Sequence, residues 1–345
     1  MELWEYLKKS TKPIVLYGMG NGADRILDIL EKHQIKVSGV FASDDFVRHQ
    51  NFRGFTVCSY SELKGKFGEM IVLLAFGTHR PEVLENVYRI MEEQEVFAPD
   101  VPVAGETIFN ADFLASHRKG LEKVYHMLAD DQSRSVFEKV VRSKLTGEIT
   151  PLLECTCSVE DAWGLFELGN DESYLDLGAY IGDTVERFLQ FTDGKYRRIW
   201  AVEPDFKNYK RLLKNTETLQ DITCFNCCVD DRCGERRYEM DGGRKSKALS
   251  EGGITIEART VDDLLGGQAV SLIKIDVEGM EAAVLRGASE SIRRYKPSMQ
   301  ISAYHRPEDL YELPLLIEKI CPGAKIYMRR FLCLPAWDTD FYIKF

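Results

Sequence analysis

Four short apolar runs in the second half of the chain each lead into an acid, and this recurrence constrains the fold more than any other feature. The runs are Tyr174–Leu177 with Asp176 inside it, Arg198–Val202 before Glu203, Ile222–Cys228 before Asp230, and Leu272–Ile275 before Asp276. Helix-length amphipathic stretches separate them, as in Asp183–Gln190 and Phe206–Asn215. Short apolar strands alternating with helices predict a parallel sheet covered on its faces. Ligands of such open sheets sit beyond the carboxyl ends of the strands. The four acids are therefore expected to converge on one crevice, and folding alone does not require so many there.

The first run continues as Leu175-Asp176-Leu177-Gly178-Ala179-Tyr180-Ile181-Gly182-Asp183-Thr184. Gly178 and Gly182 sit where strand turns into helix, so a ligand can approach the backbone closely. The helix start adds unpaired N–H groups and partial positive charge. The order Asp-x-Gly-x-x-x-Gly differs from the dinucleotide order Gly-x-Gly-x-x-Gly. An acid this near the turn opposes a pyrophosphate and suits an ammonium or sulfonium group. Glu203, in Trp200-Ala201-Val202-Glu203-Pro204, is placed to accept two ribose hydroxyls, and charged acceptors make the stronger hydrogen bonds. The alternative is a solvated acid before a turn proline. Val229 is expected against an adenine face, with Asp230 accepting from the amino group. Asp231 reads as a surface turn residue.

The first half has its own βαβ rhythm. Strands are predicted over Pro13–Tyr17, Ile35–Phe41 and Glu69–Phe76, with helices over Asp24–Lys32 and Pro81–Glu93. Gly18-x-Gly20-x-x-Ala23 looks like a dinucleotide loop, yet Phe41-Ala42-Ser43 stands where the partner acid is expected, with Asp44 and Asp45 beyond. A docking or substrate-presenting role is the alternative. Residues 111–150 read as a helical connector, because Phe113, Leu121, Val124, Tyr125, Leu128, Val136, Phe137 and Val140 recur at helical spacing. A dimerisation surface is the competing reading, so a homodimer is an open expectation. The division expected is 1–110, 111–150 and 151–345. The fold class is α/β: a smaller Rossmann-like domain followed by a Rossmann-like sheet ending in an antiparallel strand, since Lys325–Met328 and Phe341–Lys344 read as two strands joined by a loop.

A net charge of −10 argues against a broad phosphate-binding surface and so against nucleic-acid partners. The longest apolar runs, such as Ile71–Phe76, are too short to span a bilayer, and no membrane partner is expected. The first ten residues lack a secretory pattern, and nine cysteines, an odd number, fit a reducing compartment; the expected location is the cytoplasm. Cys224, Cys227, Cys228 and Cys233, with Cys155 and Cys157, lack the paired spacing of a closed zinc site and read as ordinary thiols.

The Asp176–Thr184 loop, Val202-Glu203-Pro204 and the run Ile273-Lys-Ile-Asp-Val-Glu-Gly-Met-Glu-Ala-Ala-Val-Leu-Arg-Gly287 together resemble the FkbM family of methyltransferases. The resemblance covers roughly Cys155 to Phe345. It implies a class I methyltransferase sheet, S-adenosylmethionine as cofactor, and O-methylation of a hydroxyl on a sugar or natural product. It implies that the loop with Asp176, Gly178, Gly182, Asp183 and Thr184, together with Glu203, holds the cofactor, with Asp276 and Glu278 near the transferring methyl; the strand-end reading adds Val229, Asp230 and Asp276 to the expected cofactor set. The first half resembles the small Rossmann-like domain that precedes the catalytic domain in some members.

A hydroxyl nucleophile must lose a proton, and Asp276 or His305 is the expected base. His305 follows the fifth strand on the same sheet edge, and a histidine ordinarily titrates near neutral pH; a satisfied structural histidine is the alternative. A divalent metal held by Asp276, Glu278 and His305 is the alternative, although no ligand spacing demands it. N-methylation and a non-catalytic cofactor-binding scaffold are the rival functions. The stretch Asp241–Gly253, with Arg244, Lys245 and Lys247, reads either as a lid that meets an acidic group of the acceptor or as an ordinary solvated loop.

Overall fold

The computed structural model describes residues 1–239, 247–249 and 253–345. The first half builds a sheet from β1 (Ile14–Tyr17), β2 (Gly39–Phe41), β3 (Asn51–Phe52), β4 (Phe55–Cys58), β5 (Ile71–Leu74) and β6 (Glu95–Phe97) in the order β3-β4-β2-β1-β5-β6. All pairings are parallel except the β3–β4 hairpin. The buried strands β1 and β5 are the continuous apolar runs that a sheet covered on both faces requires. β3, β4 and β6 were not anticipated. They are short, and the side chains of β3 and β6 are no more than half-buried, so they carry little hydrophobic signal.

The glycine loop after β1 leads into the helix Asn21–Lys32. A side chain at Gly22 would lie 2.4 Å from the Ala75 carbonyl oxygen, so this glycine lets the helix rest against the end of β5. Close packing accounts for it without a nucleotide.

The second half runs through β7 (Ser173–Leu177), β8 (Arg198–Val202), β9 (Ile222–Phe225), β10 (Cys228–Val229), β11 (Gly234–Glu239), β12 (Lys247–Leu249), β13 (Ile254–Arg259), β14 (Leu272–Ile275), β15 (Ser298–Ser302), β16 (Lys325–Arg330) and β17 (Thr339–Lys344). The main sheet has the order β16-β17-β15-β14-β7-β8-β9. β17 inserts antiparallel between β15 and β16, and the other pairings are parallel. This is the class I methyltransferase arrangement. The strand order reverses between β7 and β14, which opens a crevice beyond their carboxyl ends.

One expectation is corrected here. Ile222–Cys228 is not a single strand. β9 ends at Phe225, and Asn226 donates through its side chain to the carbonyls of Glu203 and Pro204, both at 2.9 Å. The chain then enters a separate sheet, β10-β13-β11-β12, in which Cys228 and Val229 pair with Ala258 and Arg259. Val229 and Asp230 thus reach the crevice from a second layer, not from an end of the main sheet. The lid expected over Asp241–Gly253, with Arg244 and Lys245, lies outside the described residues apart from the backbone of β12, which holds Lys247, and Gly253.

The connector is two helices, Ala111–Met127 and Asp131–Thr146, capped by the side chains of Asn110 and Asp130. Phe113, Leu121, Val124, Val136, Phe137 and Val140 are buried in one cluster with Met299, Ile326 and Met328 of the main sheet. The connector's apolar face is therefore packed within this chain. Lys144 in its second helix donates to Asp100 at 2.8 Å, with both side chains nearly inaccessible. No described helix is long and apolar enough to cross a membrane.

Removing one partner of a buried pair leaves the other charge uncompensated. Asp100→Ala is expected to cost about 3–5 kcal/mol of unfolding free energy in urea titrations, and the double variant Asp100→Leu/Lys144→Met about 1–2 kcal/mol or less.

Candidate functional site

The crevice begins at the turn after β7. Gly178 has φ +80°, and a Cβ there would lie 1.9 Å from the Asp276 carbonyl oxygen. Tyr180 and Gly182 are also left-handed, with φ +49° and +93°, and Gly182 opens the helix Asp183–Phe191. The turn is held to β14 by Lys274. Its ammonium donates to the Gly178 carbonyl at 2.9 Å and sits 3.5 Å from Asp176 Oδ1 and 3.7 Å from Asp276 Oδ2. Burial alone would lower the Lys274 pKa, but Asp176 and Asp276 outweigh it and keep the amine charged.

Asp176 departs from its expected position. It is fully buried and outside the cavity lining, and the Thr184 hydroxyl donates to its second oxygen. Burial raises its pKa, against the pull of Lys274 and Thr184. Strand alternation explains this: Leu175 and Leu177 take one face of β7, leaving Asp176 to pair internally on the other. Gly178, Asp183 and Thr184 line the cavity; Gly182 does not, because it packs against Leu212.

Glu203 lines the cavity just beyond β8. Its oxygens accept from the Tyr180 N–H at 2.9 Å and the Asp205 N–H at 2.8 Å. Burial pushes its pKa up to about 7, opposed by those two backbone bonds. Each carboxylate oxygen keeps acceptor capacity for a ligand hydroxyl. Val229 and Asp230 line the same wall. The Asp230 carboxylate already accepts from Arg236 and from the Asp231 N–H, so it is less available than the sequence suggests.

Beyond β14 the chain turns through Val277, Glu278 (φ +54°) and Gly279 (φ +98°) into the helix Glu281–Gly287. The Glu281 carboxylate folds back to accept from the N–H groups of Val277 at 3.0 Å and Gly279 at 3.2 Å. Its Oε1 also lies 2.9 Å from His305 Nδ1, and both residues are completely buried. The other ring nitrogen, Nε2, is 3.5 Å from Asp276 Oδ1 and 3.5 Å from Glu278 Oε2. Burial would depress the imidazole pKa, but Glu281, Glu278 and Asp276 raise it to about 10. Burial raises Glu278 to about 7. Asp276 and Glu278 line the cavity; His305 lies behind them.

The cavity encloses about 620 Å³ and is walled partly by the first half of the chain. Gly77, His79 and Val103 line it together with Tyr304, Trp337 and Asp338. Gly77 has no room for a side chain, because a Cβ would sit 2.0 Å from the Trp337 ring. Thr78 and Leu334 exchange backbone hydrogen bonds at 2.8 and 2.9 Å, and the N–H groups of Val103 and Ala104 donate to the His305 carbonyl. This shared wall was not legible in the chain, since neither backbone pairing nor a close ring contact has a periodic signature. Lys274 was legible as a lone charge inside an apolar strand, and Glu281 as an acid at a helix start, but their partners were not.

An open seven-stranded sheet with this order, and a polar cleft at its reversal point, defines the class I methyltransferases. Residues 176–321 match the family profile described as the Methyltransferase FkbM domain. The 2-O-methyltransferase NoeI of Sinorhizobium fredii (strain NBRC 101917 / NGR234) is 28% identical over 171 residues, which is 42% of this chain and 68% of that protein. The crystal structure of methyltransferase FkbM from Methylobacillus flagellatus KT superposes with a TM-score of 0.73 at 22% identity, covering 97% of this chain and 90% of that one. The two-part architecture of this chain is thus shared along nearly its full length.

The two glycines should differ in tolerance. Gly178→Ala meets backbone and a left-handed φ, and is expected to cost about 3 kcal/mol or more. Gly182→Ala meets only the Leu212 side chain, at 3.2 Å, and is expected to cost about 1–2 kcal/mol. Thermal denaturation of both variants checks the ranking.

Proposed function

We propose that this chain is an S-adenosylmethionine-dependent O-methyltransferase acting on a hydroxyl of a saccharide or related small molecule. The observation that carries the reading is the cavity itself: a buried diol acceptor, Glu203, at one end and two carboxylates, Asp276 and Glu278, facing the space beside it. The residues fit the methyl donor. Glu203 would accept its ribose hydroxyls, Val229 would pack on the adenine face, and the glycine turn would let the donor lie close to the backbone of Gly178. The likeness to a 2-O-methyltransferase supports oxygen as the acceptor atom.

When bound, the donor supplies a methyl group on a sulfonium sulfur; a C–O bond forms as the C–S bond breaks, and that electron pair stays on sulfur. The protein's task is alignment, which in well-arranged systems contributes up to about 7–11 kcal/mol. Asp276 or Glu278 takes the hydroxyl proton, a role typically contributing about 10²–10⁴-fold. His305 does not line the cavity, so of the two expected bases the carboxylate is favoured. His79, Val103 and Trp337 form the far wall, where an acceptor ring would rest, and this gives the first half of the chain its part in acceptor choice.

Turnover with a panel of hydroxylated sugars should fall about 10²-fold or more in Asp276→Asn or Glu278→Gln, with donor affinity within about threefold of wild type. Full turnover in both variants would remove the carboxylates from the chemistry, and transfer to amines alone would favour an N-methyltransferase. Glu203 supplies a pH signature. Its ionised form accepts the ribose hydroxyls, so donor affinity should be constant above pH 7 and fall as the pH drops below it. Glu203→Gln should weaken binding by about 1.5–3 kcal/mol and flatten that dependence. Calorimetric titrations between pH 5.5 and 8.5 read both effects.

A further inference from the structure

We infer that His305, anchored by Glu281, is a positioning residue that orients Glu278 as the base for the acceptor hydroxyl, an inference that rests on the reading of this cavity as the transfer site. Two layers of side chains stand at the wall. Asp276 and Glu278 line the cavity and are partly exposed, while His305 and Glu281 are completely buried behind them. Glu281 Oε1 lies 2.9 Å from His305 Nδ1 and is itself fixed by the N–H groups of Val277 and Gly279. The imidazole is thus held from one side. On the other, Nε2 is aimed at the gap between the two cavity carboxylates, 3.5 Å from an oxygen of each.

Nε2 makes no hydrogen bond of good geometry at rest, and native structures rarely leave such a group buried without a role. Catalytic hydrogen bonds are often long before substrate binds and tighten in the reacting complex. One N–H cannot serve both carboxylates at once, so it holds one and leaves the other to accept a proton. The neighbours separate the two. Asp276 also has the Lys274 ammonium at 3.7 Å and the Tyr304 hydroxyl at 3.5 Å, so a cation and a donor already hold it. Burial raises Glu278 to about 7, against the pull of His305, and a base works best with its pKa near the working pH. Glu278 therefore takes the hydroxyl proton as the methyl group moves from sulfur to oxygen. The proton ends on a Glu278 oxygen and the C–S electron pair on sulfur. His305 touches neither reactant and acts through Glu278.

The surrounding charges favour a protonated ring. Asp276 and Lys274 come from β14, Glu278 from the turn, Glu281 from the helix after it, Tyr304 and Arg306 from the chain beyond β15, and Asp309 from the helix Asp309–Ile320. The first half of the chain contributes the Val103 and Ala104 N–H groups, which donate to the His305 carbonyl. Burial alone would lower the His305 pKa, but Glu281, Glu278 and Asp276 raise it to about 10. Burial also raises the Asp309 pKa, and its carboxylate accepts the Arg306 N–H at 2.9 Å. An opposite charge this close favours the ionised carboxylate, typically by about 1–3 pKa units. His305 thus offsets the burial that would otherwise keep Glu278 protonated at neutral pH. Removing its charge raises the Glu278 pKa, so the acidic limb of the rate profile moves to higher pH.

Two measurements on the full chain test this. The first is nuclear magnetic resonance of the ¹⁵N-histidine-labelled wild type, where one of the six histidines should keep both ring nitrogens protonated at pH 8.5. In Glu281→Gln that ring should lose its proton at a pH lower by about one unit or more. The second is the pH profile of methyl transfer from S-adenosylmethionine to hydroxylated sugars. His305→Gln should move the acidic limb of kcat up by about one pH unit, so that kcat falls about tenfold at pH 6 and stays within about twofold at pH 9. The KM for the donor should stay within about threefold of wild type. An equal loss at both pH values, or an unshifted profile, overturns the positioning role, and so does deprotonation of all six histidines below pH 8 in the wild type. Should His305→Gln fail to fold, the labelled wild type carries the test. Transfer by the wild type with an unshifted variant profile overturns this inference alone. No transfer by the folded wild type to any hydroxylated acceptor overturns the transfer reading and the inference with it.

Discussion

A single ammonium group joins the two halves of the crevice. Lys274 lies inside a strand that is otherwise wholly apolar, and its charged end reaches the Gly178 carbonyl, Asp176 and Asp276 together. Two acids at neighbouring strand ends would repel each other in so dry a place, and each would be costly to ionise. The lysine neutralises that repulsion and fixes the glycine turn at the distance where Gly178 has no room for a Cβ. The glycine turn after β7 and the Asp276 end of β14 are therefore positioned by the same contact.

Burial then divides the acids by task. Asp176 and Glu203 look alike in the sequence, each an acid at a strand end. The first is closed off and held by Thr184 and Lys274, while the second keeps its carboxylate in the cavity wall with two backbone N–H groups to orient it. Glu278 and Glu281 divide in the same way within one turn of chain. The left-handed residues Glu278 and Gly279 reverse the backbone, so that one carboxylate meets the cavity and the other folds inward to His305. The first half of the chain closes the remaining side, through the fit of Gly77 to Trp337 and the two N–H groups that reach the His305 carbonyl.

Much of the main sheet could be read from the chain because its signals are local. β7, β8, β14 and β15 are buried apolar runs bounded by turns, and the glycine turn is marked by residue type. The two closing strands were also legible, though the loop between them gave no hint that it would meet Thr78. Edge elements such as β3 and β6 escaped, having too few buried side chains to stand out. The break at Asn226 escaped as well, because Cys227 and Cys228 continue the apolar pattern and only the tertiary bonds from Asn226 end the strand. In the site, acids at strand ends were visible and their accessibility was not. Accessibility depends on which neighbour fills the space, and for Asp176 that neighbour is a lysine almost a hundred residues away.

The account's central claim is tested most directly by a crystal structure of the protein grown with S-adenosylhomocysteine. The ribose hydroxyls should lie within hydrogen-bond distance of Glu203, the adenine against Val229, and the sulfur should face Asp276 and Glu278. Electron density for the ligand elsewhere on the chain, or a cavity that stays empty of it at saturating concentration, would contradict the assignment of this cleft as the methyl-transfer site.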